Sequence, residues 1–412
     1  PDNISNADCF GMPLGFEWSI MKDWQSTQTN IATYVTPVVG DLNGDSIPEI
    51  MVARYHSDNN SPSFARLFDG IYIYWGHDRS NPTFKPTMAG YFESFGFSVA
   101  KAKINHVLQP VIVMFSQADG YLYAYDPDPS KTTEATSRIW RSSHPLTNYK
   151  TGDYYNIGFV DFDGDGEVEV YAGECIFDAS TGILLTQVPE GGNKGISNFL
   201  NDLNSAAPAR SYHFSMAADV NNEGKTEYIA GTEVYSVNIV NRTDTTGNSM
   251  TLLSSIPPVN IGSGLIIKDG ISLVADINQD GRLDVVVLGQ TPTNPAQYGI
   301  IAWDVQTQTL IAKTSPMAAY TRVGIPFIGN IDNEPNPEIL VTANSSATAG
   351  RIDGFRLNNN QTFNRVYTFN TTDDSGMTGI TLFDFNQDSI MELVYRDMTH
   401  LRIMQANPGA GT

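Results

Sequence analysis

Residues 41–50 read DLNGDSIPEI, and the pattern returns as DFDGDGEVEV at 161–170, DVNNEGKTEY at 219–228, DINQDGRLDV at 276–285 and DFNQDSIMEL at 384–393. Acids and amides stand on alternate positions, and a β-prone apolar run begins directly behind them. A weaker copy, NIDNEPNPEIL, starts at Asn330. From 161 onward the loop starts, Asn330 included, are 58, 57, 54 and 54 residues apart, whereas 41 and 161 are separated by 120, about twice that spacing. A silent copy is therefore expected near 101. FGFSVAKAKINHVLQPVIVM (95–114) keeps the apolar frame there, with Lys103 where the first acid belongs. Seven repeats result.

Each repeat follows one plan. A short apolar segment leads into the acidic loop, a second β run follows (EIMVAR, VEVYAG, DVVVLG, ELVYR), then a third with aromatic alternation (GYLYAYD, YGIIAWD), a turn and a fourth. The clearest such turn is Asp178-Ala-Ser-Thr-Gly182. Four strands in about 55 residues, repeated seven times, predict an all-β chain forming a single seven-bladed β-propeller of four-stranded blades. An α-solenoid would need 3.6-residue periodicity, which these segments lack. After Asp384 only ELVYR and HLRIMQ remain as strands, so the last blade is one short; GFEWSIM (15–21) is the expected closing strand, removing an open sheet edge. Residues 1–12 read as a lead-in and 406–412 as a linker stub.

Composition agrees. The chain has 412 residues, 41% hydrophobic, with 19 Tyr and 20 Phe but only 24 Lys and Arg together. No apolar run approaches the roughly 18–20 residues of a membrane-spanning helix. A net charge of −21 disfavours nucleic acid and anionic membranes as partners. Cys9 and Cys175 allow one disulfide at most, and two buried thiols are the simpler expectation.

The loops suit a hard cation. Ca²⁺ takes six to eight oxygens at about 2.3–2.6 Å. Positions 1, 3, 5 and 9 supply side chains and position 7 a backbone carbonyl: Asp41, Asn43, Asp45, Ile47 and Glu49; Asp161, Asp163, Asp165, Glu167 and Glu169; Asp219, Asn221, Glu223, Lys225 and Glu227; Asp276, Asn278, Asp280, Arg282 and Asp284; Asp384, Asn386, Asp388, Ile390 and Glu392. Gly166, Gly224 and Gly281 at position 6 permit a sharp turn. An EF-hand needs an acid at position 12, where this chain has Val52, Ala172, Ala230, Val287 and Tyr395. Asp, Asn and Gly are also ordinary turn formers, but five copies at one spacing favour the metal. The sixth loop, with Asn330, Asp332, Glu334 and Glu338, is a lesser candidate because Pro335 and Pro337 stiffen it. About five calcium sites are expected. Filled coordination shells repeated around a ring point to a structural rather than a catalytic ion.

These repeats, together with Phe95-Gly96-Phe97-Ser98-Val99-Ala100 in the second, resemble the FG-GAP (VCBS-type) repeats of integrin α-subunit propellers and bacterial surface proteins. The resemblance covers nearly the whole chain. It implies a seven-bladed propeller with calcium between the first two strands of a blade, and an extracellular or cell-surface place within a larger polypeptide. The second repeat departs from it: Lys103 implies a metal-free blade whose ammonium stands in for the ion.

For function, the expectation is a non-catalytic propeller that binds an extracellular protein or glycan. His56, His77, His106, His144, His213 and His400 are scattered over different repeats, with no HExxH, GxSxG or Gly-rich phosphate loop. The alternative is a calcium-dependent polysaccharide lyase with a base such as Lys150, Arg210 or His213; a spacer in a larger surface protein is the third reading. Two long connections, 142–156 and 189–214, lie on the face away from the acidic loops. Their Tyr149, Tyr154, Tyr155, Tyr212 and His213 could stack on a sugar, or could pack against a neighbouring blade.

Overall fold

The structure, a computed structural model, describes residues 24–28, 30–31, 37–55, 68–87, 96–116, 119–146, 154–200, 210–290, 297–317, 320, 322–332, 334–346, 349–372, 379–385, 387–396 and 401–405. Among these the one helix is the short Glu134–Ser137; nearly everything else that is regular is strand. Successive hairpins form antiparallel sheets in simple sequence order. The first sheet holds Val38–Gly40, Glu49–Tyr55, Phe68–Trp75 and Asp78–Pro86. The second holds Phe97–Ile104, Val107–Phe115, Leu122–Tyr125 and Arg138–Arg141. In the third are Ile157–Val160, Glu169–Ala172, Cys175–Asp178 and Leu184–Gln187. The fourth comprises Met216–Ala218, Glu227–Ala230, Glu233–Asn238 and Ser249–Ser255, and the fifth Ile271–Ala275, Asp284–Gln290, Tyr298–Asp304 and Thr309–Lys313. The sixth orders Glu338–Ser346, Ala349–Leu357 and Phe363–Thr371 behind two short segments, Arg322–Val323 and Phe327–Gly329. The seventh has three strands, Ile380–Phe383, Glu392–Arg396 and Leu401–Met404.

First strands of consecutive sheets lie beside one another from the first sheet to the seventh, which is a propeller-like arrangement. The cores show why. Six hydrophobic clusters fall at the six successive sheet-to-sheet contacts. In the fifth sheet Val285 and Val287 pack toward the fourth, while Val286 and Leu288 pack toward the sixth. Side chains alternate along a strand, so a strand buried on both faces must be apolar throughout. That accounts for DVVVLG, which reads as a continuous run without the polar alternation of a one-sided sheet.

Among the described residues no cluster joins the seventh sheet to the first. The corresponding face of the first sheet (Val52, Tyr72, Tyr74) is packed by Ile31 and Phe84, with Trp24 edge-on to Tyr74 at 5.0 Å. Phe383 and Leu401 of the seventh sheet are more than half exposed. The expected closing strand, 15–21, lies outside the described residues, as do the lead-in, the linker stub and Cys9. Cys175 is buried.

The connections around the third sheet form strands of their own. Tyr154–Tyr155 pairs in parallel with Arg210–His213, and Ile196–Leu200 adds antiparallel to it. A further hairpin, Val259–Gly262 with Leu265–Ile267, stands between the fourth and fifth sheets.

Candidate metal centres

Five loops share one backbone. Positions 4 and 6 both take positive φ: Gly44 and Ser46 (82° and 68°), Gly164 and Gly166 (76° and 81°), Asn222 and Gly224 (59° and 78°), Gln279 and Gly281 (59° and 85°), Gln387 and Ser389 (59° and 71°). This double left-handed turn points backbone N–H groups at the first acid. Asp161 accepts from Gly164 (2.6 Å), Asp165 (3.2 Å) and Gly166 (2.8 Å). Asp41, Asp219, Asp276 and Asp384 accept equivalent bonds. In four of the five loops, all but the one at 219, the position-5 acid accepts the N–H of position 7, as Asp45 does from Ile47 at 2.8 Å and Asp388 from Ile390 at 2.8 Å. In the sixth loop position 6 is Pro335, whose ring locks φ near −65°. The shared conformation is closed to it.

The position-9 acid opens the second strand and is buried in every loop: Glu49, Glu169, Glu227, Asp284, Glu338 and Glu392. One of its oxygens always accepts the N–H of position 2, from Leu42, Phe162, Val220, Ile277, Ile331 or Phe385, at 2.7–3.1 Å. A buried carboxylate costs several kcal/mol unless matched, so the fate of the second oxygen distinguishes the loops. In the first loop it accepts from Gly76 N–H at 3.3 Å, and in the fourth from the Asn221 amide at 3.1 Å. In the fifth, the Asp284 Oδ1 is buried with no hydrogen-bond partner among the described residues. Burial pushes the Asp284 carboxyl up to about 7, with Asp280, Asp304 and Asp276 adding to the rise. Asp276, Asn278, Asp280 and Asp284 supply the oxygen types a hard cation takes, but among the described residues only Asp161, Asp163 and Glu169 of the third loop bring ligand oxygens within 4.8 Å of one another.

The third loop is different. Asp161, Asp163 and Glu169 bring ligand oxygens within 4.8 Å of one another, yet a guanidinium stands among them. Arg242 lies in the turn between Glu233–Asn238 and Ser249–Ser255 of the fourth sheet. Its Nη2 donates to Glu169 Oε1 (2.5 Å), Asp165 Oδ1 (3.0 Å) and the Glu167 carbonyl (3.0 Å), and Nη1 to Asp178 (2.8 Å). Burial raises the Glu169 carboxyl, with the Phe162 N–H and Arg242 pulling it back. In the sixth loop Arg356, from the third strand of the same sheet, donates to Glu338 Oε1 at 2.5 Å and also to Asp332. Arg282 of the fifth loop pairs with Asp280 (2.7 Å) and with the buried Asp304 (3.1 Å). Asn386 of the seventh lies outside the described residues.

The second sheet has no comparable loop: Asn105 and His106, both at positive φ, make a two-residue turn between its first strands. Lys103 does not fill its own blade; it donates to Glu167 of the third loop at 3.1 Å. Sequence reasoning missed Arg242 and Arg356. The only sequence signal was the pairing of a large acid surplus with a few arginines.

Of the candidate ligand-face residues, Tyr154, Tyr155, Tyr212 and His213 are all buried. Tyr154 stacks on Tyr212 at 4.9 Å and Tyr155 on His213 at 4.2 Å, following the parallel strand register. These four rings thus stack on one another within the fold. Tyr149 and Lys150 lie outside the described residues, as do His56 and His400; Arg210 is placed in its strand.

No family model matches the chain, and no curated protein matches it in sequence. Solved structures do match. The V. cholerae biofilm matrix protein Bap1 aligns with TM-score 0.53 and 14% identity, over 93% of this chain and 80% of its own. The exotype rhamnogalacturonan lyase YesX aligns with TM-score 0.53 and 17% identity, over 92% of this chain; the chain spans 62% of that lyase. At these identities the likeness shows the fold alone, an all-β propeller-like arrangement.

Proposed function

We propose that the chain is a seven-bladed, calcium-stabilised propeller of an extracellular or cell-surface protein of the FG-GAP type, which binds a protein or glycan ligand without catalysis. The observation that carries the metal reading is the fifth loop, where Asp284 Oδ1 is buried without a hydrogen-bond partner among the described residues, in a loop that also offers Asp276, Asn278 and Asp280. The first, fourth and seventh loops share its backbone. Calcium there neutralises clustered carboxylates and ties the first two strands of a sheet together. Sheet order, the six inter-sheet cores and the spare apolar face of the last sheet support a closed ring of seven. The binding role rests on likeness to a biofilm matrix protein.

A second reading is favoured by the likeness to YesX, a rhamnogalacturonan lyase: cleavage of an acidic polysaccharide. A glycan and matrix-protein array, followed by an ultraviolet assay for unsaturated uronate products, separates the two. Capture without product supports the binder; product formation overturns it in favour of the lyase.

A further inference from the structure

The loop richest in acids holds the wrong cation for a calcium site. Arg242 approaches Asp165, Glu169 and the Glu167 carbonyl at 2.5–3.0 Å, with Asp163 at 3.9 Å. These are the position 3, 5, 7 and 9 groups that a calcium ion would need. A divalent ion on those oxygens would sit within about 3–4 Å of the guanidinium, a cation pair that a partly buried site strongly disfavours. The arginine is also prepared for this place. The Asn248 side chain accepts from Val240 and Asn241 N–H (2.8 and 2.9 Å) and donates to the Asn241 and Leu185 carbonyls (2.6 and 3.1 Å). The turn is thereby rigid and fastened to the third sheet before Arg242 reaches across. Tethering gives the guanidinium a high effective concentration that dissolved calcium must overcome. Arg356 takes the same part in the sixth loop, where Pro335 already forbids the shared conformation.

We propose that Arg242 and Arg356 are the resident cations of the third and sixth loops, so that these loops take no calcium and act as ion-pair clasps, Arg242 joining the third sheet to the fourth. Metal capacity then runs against acid count: the third loop, with five acids, binds none. The inference rests on the calcium reading of the other loops only for its contrast.

Native mass spectrometry at saturating calcium tests it, counting ions per chain in the wild type and in Asp163→Asn, Asp284→Asn and Arg242→Gln. Asp163→Asn keeps the acceptor that holds Asp165 N–H and leaves the arginine in place. The expected result is an unchanged count for Asp163→Asn, one ion fewer for Asp284→Asn and one ion more for Arg242→Gln. Adding Asp163→Asn to Arg242→Gln then removes the gained ion. Loss of an ion in Asp163→Asn alone overturns the proposal, and that arm is informative even if Arg242→Gln fails to fold. If the wild type binds no calcium while Arg242→Gln binds one, the clasp stands and the calcium reading of the other loops falls. If neither binds any, both fall.

Discussion

Asp284 shows how one buried carboxyl can report on a loop. Its pKa is raised from 3.8 to about 7, chiefly by burial, so the folded chain holds a proton that the unfolded chain releases. That contribution is fully present below pH 3.8 and is lost as pH rises through about 7. In chelator, urea midpoints for the wild type should therefore fall between about pH 5 and 8 by an equivalent of roughly 1–4 kcal/mol more than those of Asp284→Asn. Equal slopes would refute the assignment, and calcium should flatten the wild-type slope. Backbone strain gives a second test. Gly224 has φ of +78°, and nothing lies within 4 Å of the place a Cβ would take. Gly224→Ala should therefore cost about 1–2 kcal/mol from conformation alone in a urea melt. At this scale the sequence was half legible. Position 6 announces itself through Gly166, Gly224 and Gly281, but position 4 is equally left-handed and carries Asn222, Gln279 and Gln387. Glutamine gives no turn signal, so that half of the loop had to be seen.

Between sheets, the energetics lie in alternate residues packed on both faces. Trp303 is fully buried at the contact of the fourth and fifth sheets, where its indole N–H reaches the Gly231 carbonyl at 3.4 Å. Trp303→Ala should cost about 3–5 kcal/mol in chemical denaturation; a loss under about 1 kcal/mol would mean the sheets are not packed as described. The strands were readable because their apolar runs start immediately behind each acidic loop, and the Asp178–Gly182 turn does join two strands, closed by Gly182 N–H to the Asp178 carbonyl at 2.8 Å. What was not readable were contacts between distant turns. Arg242 meets Glu169 across 73 residues, and nothing local in NRTDTTGN at 241–248 signals that partner. In the long connections, where stacking on a sugar and packing within the fold were both open, the paired aromatics made strands, because Tyr-Tyr and Tyr-His stretches suit a pleated, half-buried surface.

For the molecule as a whole, −21 charges must be accommodated. Most acids of the loops crowd the ends of first strands, so self-repulsion is concentrated there and is screened by salt. Without calcium, raising sodium chloride from about 20 to about 200 mM should raise the melting temperature. Calcium at about 1 mM, for sites with Kd near 10 µM, should add roughly 3 kcal/mol per site and make the salt effect smaller. A melting temperature indifferent to calcium and chelator would sink the metal reading. Repeat spacing made the sheet order legible from sequence, since each loop marks one sheet. The strand expected to close the ring, 15–21, lies outside the described residues.

The parallel pairing of Tyr154–Tyr155 with Arg210–His213 has a mechanical consequence. Those two strands are the entry to and the exit from the third sheet, so their hydrogen bonds close the chain on itself around it. Tension applied at the chain ends reaches that sheet through bonds loaded side by side, in shear, whereas an antiparallel hairpin peels one bond at a time. Under a pulling force the outer sheets should unravel first and the third should yield last, in a separate step at higher force.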